Sequence, residues 1–409
     1  MKILFIAFFS LISFLAIGQV NNQVIIGKID SVQSKILGEK RKIMVHVPGG
    51  STGAYGKTRY PVVYVLDGDA HFASVVGMIH QLSSVNGNTI CPEMIVVAIP
   101  NTDRTRDLTP THVDSDPPYM DSTFSKTSGG GSDFLSFIEK ELMPHIDSLY
   151  PTQPYKMLIG HSFGGLAVMN ALTNRPGLFN SYICIDPSMW YDHMNFLKTT
   201  KKMLSGNKYA GISMYLGIAN TMSEGMTLAR LSKDTNTDNS HIRSIFDLDK
   251  FLKANAQNGL RYKSKYYPED SHGSVPLIAE YDALRFIFDF YPMKIMISDF
   301  NDTTTVLTEK FTKHYTGVSK ILGYKIAPPE GFVNSLGYEA LSSKHLKKAE
   351  SLFKLNITNY PESGNVYDSY GDYLVVKKDT KAAIVQFEKA LSVSENAETR
   401  KKLEELRSK

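Results

Sequence analysis

Between Val24 and about Tyr291 the chain alternates short apolar runs with longer stretches in which apolar residues recur every three or four positions. The runs Val24-Ile-Ile26, Ile43-Met-Val-His-Val47, Pro61 to Leu66, Met94 to Ile99, Met157-Leu-Ile159, Ser181 to Ile185, Ile212 to Leu216 and Tyr262 to Tyr267 predict strands. Several are apolar throughout, which is the pattern of parallel strands covered on both faces. The stretch Asp133 to Leu149 predicts a helix, with Phe134, Ile138, Leu142, Ile146 and Leu149 on one stripe and Ser132 at its N-cap. Strands separated by helices of this length imply βαβ units, so the expected fold is α/β, a sheet with helices on both faces.

Beyond Tyr291 the pattern changes to a repeat. Gly337 and Gly371, Ala349 and Ala383, and Phe353 and Phe387 are each 34 residues apart. With Leu336-Gly-Tyr338 and Pro361, this stretch resembles tetratricopeptide repeats from about Gly331 to Leu406. Two units are fewer than the three or so a free-standing solenoid needs, so they are expected to lean on the α/β domain or on a helical linker around Thr304 to Leu322. At the other end, Lys2 precedes the apolar stretch Ile3 to Ile17, and Ala16-Ile17-Gly18 offers small residues for a cut before Gln19. Fifteen mostly apolar residues fall short of the roughly 20 that span a bilayer. The expected organisation is a signal peptide over 1–18, an α/β domain over 19–291, a helical linker over 292–330 and a repeat module over 331–409. The mature chain is then periplasmic or secreted, with no membrane attachment after cleavage.

Composition narrows the function. A chain of 409 residues that is 42% hydrophobic and 21% charged has ample core for folded domains. Its 45 basic residues against 41 acidic ones leave +4, too little field to hold nucleic acid. Cys91 and Cys184 make no disulfide framework and no CxxC, and read as small buried residues. Gly129-Gly-Gly131 lacks the Lys of a phosphate loop. Asp234-Thr-Asn-Thr-Asp238 begins like a calcium loop, but Asn239 and Ile245 stand where Gly and Glu are required. No metal and no cofactor are expected.

One motif carries chemistry. Gly160-His-Ser-Phe-Gly164 follows an apolar strand and precedes the helix-like Leu166 to Leu172, which is the strand, sharp turn and helix of a nucleophile elbow, with Ser162 as the nucleophile. A serine hydroxyl needs a base, and His272 sits after the last strand and before the next helix, with His161 on the elbow itself as the rival. The chain order serine, acid, histidine points to Glu224, beyond the strand Ile212 to Leu216. Asp186 satisfies the same order one strand earlier, Asp234, Asp238 and Asp270 are further candidates for the acid, and a two-residue Ser-His arrangement without an acid is the remaining alternative. Backbone N–H groups of Phe163 and Asp69 are the expected oxyanion donors.

These pieces, with Tyr64-Val-Leu-Asp-Gly68, Arg106-Asp-Leu-Thr-Pro110, Gly129-Gly-Gly-Ser-Asp-Phe134, Glu141-Leu-Met-Pro144 and Asp186-Pro-Ser-Met-Trp190, resemble the putative-esterase family of α/β-hydrolases, which includes enterochelin esterases, feruloyl esterases and S-formylglutathione hydrolases. The resemblance implies an α/β-hydrolase fold and ester hydrolysis through an acyl-enzyme. Under it Ser162 and His272 inherit the roles of nucleophile and base, and Trp190 and Tyr191 stand near the acyl or alcohol pocket, where with Tyr119 they could stack on an aromatic acyl group. Arg106, with Arg104, could receive an anionic substrate, or could instead pair with Asp103 or Asp107. The substrate is expected to be a small siderophore ester or an acyl ester on polysaccharide. The competing class is a non-catalytic binding or assembly protein that engages a protein partner through its repeats.

Overall fold

The computed structural model describes residues 23–49 and 58–408, and the predicted leader over 1–18 lies outside them. Eight strands, β1 (Lys28–Gln33), β2 (Lys40–His46), β3 (Tyr60–Leu66), β4 (Ile95–Ile99), β5 (Thr152–His161), β6 (Ser181–Ile185), β7 (Ser213–Ala219) and β8 (Arg261–Tyr267), form one sheet in the order 1-2-4-3-5-6-7-8. β1 and β2 pair antiparallel, β2 pairs antiparallel with β4, and every pair from β4 onward is parallel. The carboxyl ends of β3, β5, β6, β7 and β8 therefore all open onto one edge, where ligands of such sheets bind.

Seven of the eight predicted strands lie where the apolar runs placed them, with ends that differ by up to a few residues. The exception is Val24-Ile-Ile26, which is not a strand and leaves Val24 exposed. The first strand is instead the polar Lys28–Gln33, an edge strand whose register is set by pairing Lys28 with Val45 through Gln33 with Lys40. An edge strand needs a partner more than an apolar sequence.

Alternation along the parallel strands divides the core into two layers. Val62, Tyr64, Leu158, Tyr182 and Leu216 face one side, where Gly131–Phe137, Phe163–Asn174 and Ser240–Ala254 cover them. Val63, Val65, Met157, Ile183 and Tyr215 face the other, beneath Gly68–Ser83 and Val275–Ile287. Both cysteines are free and buried. The helix predicted over Asp133 to Leu149 starts two residues earlier, with Gly130 rather than Ser132 at the cap, and runs as Gly131–Phe137, a π turn over Ile138–Leu142 and Met143–Leu149. Pro144 has no N–H to donate back along the helix, and the wider π turn absorbs the break.

The C-terminal region is all helical: Glu330–Ser342, Leu346–Asn359, Gly364–Val376, Thr380–Val393 and Ala397–Arg407. The 34-residue offset has a packing cause. A Cβ at Gly337 would stand 2.6 Å from the Phe353 ring, and one at Gly371 would stand 2.5 Å from the ring of Phe387. Each glycine thus lets two antiparallel helices close over an aromatic ring. The helix Val306–Leu322 ties this region down, with Leu307 and Phe311 packed on Val333, Leu336 and Leu352. Farther along the same helix, Val318 and Leu322 enter the second core layer of the sheet domain.

Candidate active site

β5 ends at His161 and the helix Phe163–Asn174 begins two residues later, leaving Ser162 between them at φ 60° and ψ −116°. A side chain held at positive φ costs of order 1–3 kcal/mol and persists only where the surroundings enforce it. Here the Ser162 N–H donates to the Ile185 carbonyl at 3.0 Å, and the Ser162 carbonyl accepts from Leu166 N–H at 3.0 Å. The tight turn brings Gly160 so close to Gly164 that a Cβ there would lie 2.2 Å from the Gly164 carbonyl oxygen. The Ser162 hydroxyl is pushed out into a cleft of about 380 Å³ lined by Arg104, Tyr119, Phe124, Phe163, Trp190, His241 and His272 among others. It shares a 3.4 Å hydrogen bond with Ser188 Oγ rather than one with His272. Such bonds are often long without substrate and tighten in its presence.

His272 lies on the turn between β8 and Val275–Ile287, and its Nδ1 is 2.6 Å from Asp186 Oδ2. With Nδ1 committed to the carboxylate, Nε2 is left as the base on the opposite side of the ring. Asp186 is fully buried at the end of β6. Its Oδ1 accepts the Ala219 N–H at 2.9 Å and its Oδ2 also faces His241 Nε2 at 2.8 Å. Burial would push this carboxyl up, but the bonds from His241 and His272 hold it well below the usual carboxylate range. The expectation for Glu224 is therefore corrected: Glu224 is exposed on the loop after β7, and the carboxylate on His272 is that of Asp186. Asp234 and Asp270 are engaged elsewhere, Asp234 with Arg243 at 2.7 Å and Asp270 with Ser274 at 2.9 Å. Glu224→Ala is expected to leave kcat on a p-nitrophenyl ester within about two-fold of the parent, because an exposed side chain that does not reach His272 has no interaction to lose in the transition state, and steady-state kinetics check this.

Among the described residues, Asp186, His241 and His272 are the one group of three or more such side chains whose donor atoms converge, within 4.8 Å of one another. Ligand atoms about 2.1 Å from a tetrahedral zinc ion stand about 3.4 Å apart. The 2.6 and 2.8 Å separations onto one oxygen are instead those of N–H···O bonds.

Phe163 and Asp69 both lie in the first turns of helices, Phe163–Asn174 and Gly68–Ser83, where N–H groups have no acceptor within the helix. The loop that carries Asp69 is held by its neighbour Asp67, at φ 50°, whose carboxylate takes Arg104 Nε at 2.6 Å, Arg104 Nη2 at 3.0 Å and Asn101 Nδ2 at 2.6 Å. Arg104, not Arg106, reaches the cleft. The Arg106 guanidinium is spent on Glu39 at 2.7 Å and Asp107 at 2.8 Å, away from Ser162. Trp190 lines the cleft as expected and packs on Tyr119 with ring centroids 4.4 Å apart. Tyr191 does not line it: its ring is buried in the core and its hydroxyl donates to the Thr111 carbonyl at 2.5 Å.

Behind the elbow lies a row of titratable groups. The His161 ring lies 4.4 Å from the His272 ring, centroid to centroid, with the planes inclined by 42°, and burial with that neighbouring ring pushes it down to about 3, which leaves it neutral and unsuited to the base's role. Next come His71, its ring 6.0 Å from that of His161, and the buried Glu280, with Oε1 3.4 Å from His71 Nδ1. Burial raises Glu280 to about 8 and also lowers His71, so at neutral pH both are uncharged. A carboxyl raised in the folded state costs stability as pH climbs from its unfolded value towards its folded one. Glu280→Gln should therefore gain on the parent between about pH 4.5 and pH 8, by on the order of a few kcal/mol. Urea unfolding at pH 5 and pH 8 checks this; a constant gap would mean that Glu280 is ionised beside a charged His71.

With this geometry in view, the likeness to known proteins becomes specific. Residues 34–232 match the family model described as putative esterase. That span holds Ser162 and Asp186, while His241 and His272 lie beyond it. The chain is 28% identical over 236 residues to the ferri-bacillibactin esterase BesA of Bacillus subtilis, covering 56% of this chain and 78% of that one. It is 29% identical over 155 residues to the siderophore enterobactin esterase of Emericella nidulans, covering 35% of this chain and 51% of the fungal protein. The chain thus spans about half the length of this fungal relative. Among solved structures, an IroE-like serine hydrolase from Shewanella oneidensis superposes with a TM-score of 0.66 at 29% identity, over 81% of this chain and 98% of that one. An uncharacterised protein from Capnocytophaga ochracea, at 19% identity and a TM-score of 0.59, shares the fold over 94% of this chain and 100% of its own. These likenesses support the putative esterase family and its α/β fold.

Proposed function

We propose that the chain is an exported serine esterase that hydrolyses siderophore esters. The observation that carries the chemistry is the Ser162 hydroxyl on a strained elbow, in the same cleft as His272, whose Nδ1 is anchored on the buried Asp186. Ser162 Oγ attacks the ester carbonyl as His272 Nε2 takes its proton, and Asp186 stabilises the imidazolium. The N–H groups of Phe163 and Asp69 bind the oxyanion. His272 then protonates the departing alcohol, and water, activated by the same ring, releases the acid.

The substrate class rests on two supports. One is the similarity to proteins named as siderophore esterases. The other is the cleft itself, in which the rings of Tyr119, Phe124, Phe163 and Trp190 offer faces for an aromatic acyl group, while Arg104 is paired with Asp67, and Asp238 also lines the wall. Export rests on the leader pattern of the first 18 residues. No helix among the described residues is long and apolar enough to cross a membrane. The C-terminal helices read as a tetratricopeptide-like module that packs on the linker helix. Ranking kcat/KM over a catecholate trilactone, a hydroxamate ester, a feruloylated sugar and an acetylated xylan oligomer tests the substrate class. Preference for either polysaccharide ester by tenfold or more would replace it.

A further inference from the structure

A second histidine stands on the acid. His241 is the second residue of the helix Ser240–Ala254, and its Nε2 lies 2.8 Å from Asp186 Oδ2, the same oxygen that takes His272 Nδ1 at 2.6 Å. Its ring is buried and meets the His272 ring edge to face, with centroids 5.2 Å apart at 86°. Its backbone N–H donates to the Tyr119 hydroxyl at 3.3 Å, and Tyr119 in turn packs on Trp190. We infer that His241 is a positioning residue, which holds the Asp186 carboxylate in the orientation His272 requires and ties that carboxylate to the aromatic wall of the cleft.

The inference rests on the esterase reading and follows from counting donors. Asp186 is a buried carboxylate with one fixed backbone donor, Ala219 N–H on Oδ1. With that bond alone Oδ2 could swing about the side chain, and His272, at the more exposed rim, would have to find it. A donor on Oδ2 from a buried ring fixes the carboxylate plane independently of His272. That keeps the acceptor in place while His272 turns towards Ser162 and back. Charge points the same way: without His241 the buried carboxylate would keep the Ala219 N–H and only the half-exposed His272 as donors, and a second N–H on Oδ2 lowers the cost of holding the charge there. His241 is not itself the base, because the nitrogen it presents is already committed to Asp186 and its ring is buried. The bond requires the tautomer with hydrogen on Nε2, or the protonated ring.

The test uses the full chain and a p-nitrophenyl ester, with parent, His241→Leu, His241→Gln, His272→Ala and Ser162→Ala compared side by side. Gln can place its amide N–H near the position of His Nε2, whereas Leu fills the space without a donor. The expected result is a kcat lowered about 10–100-fold in His241→Leu, the scale of losing a group that orients a functional His, with KM within about two-fold. His241→Gln should recover most of that kcat. A His241→Leu variant with parental kcat overturns the inference. So do a Gln variant as impaired as Leu, which would show a packing role, and a loss as deep as that of His272→Ala, which would make His241 the base. Failure of the esterase reading looks different: Ser162→Ala would then turn over the ester as fast as the parent, and the positioning role would fall with it.

Discussion

Ser162→Ala should lower kcat on a short-chain p-nitrophenyl ester by roughly 10⁶-fold, the scale found when the nucleophile of a catalytic triad is removed, with the fold intact. The size of the effect follows from the acyl-enzyme route. Alanine has no oxygen to attack the carbonyl, and His272 then has no proton to take. What remains is the oxyanion donors and the binding cleft, which by themselves give about 10³–10⁴-fold over water in such enzymes. Alanine relieves the strain at φ 60° no better than serine does, so thermal unfolding should scarcely move. Steady-state kinetics with circular dichroism on the same preparation check both halves. Activity within tenfold of the parent would place the chemistry on another residue.

Asp186→Asn should cost about 10⁴-fold in kcat. The asparagine amide matches the carboxylate in shape but offers one acceptor oxygen where Asp186 serves Ala219 N–H, His241 Nε2 and His272 Nδ1. An amide N–H turned towards His272 would favour hydrogen on Nε2, the nitrogen that has to accept the Ser162 proton. The same carboxylate also acts on stability. Its folded value is depressed below the unfolded one, so its contribution is present above about pH 4 and is lost as pH falls below that. The Asn variant should therefore lack part of the parent's acid-induced loss of stability, measured by urea unfolding at pH 3 and pH 6. A kcat within tenfold of the parent would show that His272 works without a fixed acid.

The order of strands and helices was legible because the apolar runs of β3, β4, β6 and β7 and the second half of β5 are buried on both faces, which leaves a strong local signal, while the polar edge strand β8 shows only its aromatic alternation. Ser162 and His272 were legible for a related reason: glycine spacing and position after a strand are local properties. The acid was not. Asp186 and Glu224 both follow strands and both satisfy the chain order. Only the path of the backbone, with Asp186 turning inward at φ 40° beneath His272, separates them. A signal did exist in Ile185-Asp-Pro187, a carboxylate in a tight turn at the mouth of a buried strand. Arg104 and Arg106 are two residues apart on a short helix, so they project to different sides and only one meets the cleft. His241 left no sequence trace, since its partner Asp186 is 55 residues away.

The central claim is that Ser162 is an activated nucleophile, and covalent capture tests it most directly. Treating the full chain with a fluorophosphonate and mapping the adduct by peptide mass spectrometry should give one label per chain, on the peptide bearing Gly160 to Gly164, and none in Ser162→Ala. An unlabelled parent, or a label that persists at another residue when Ser162 is replaced, would contradict the account.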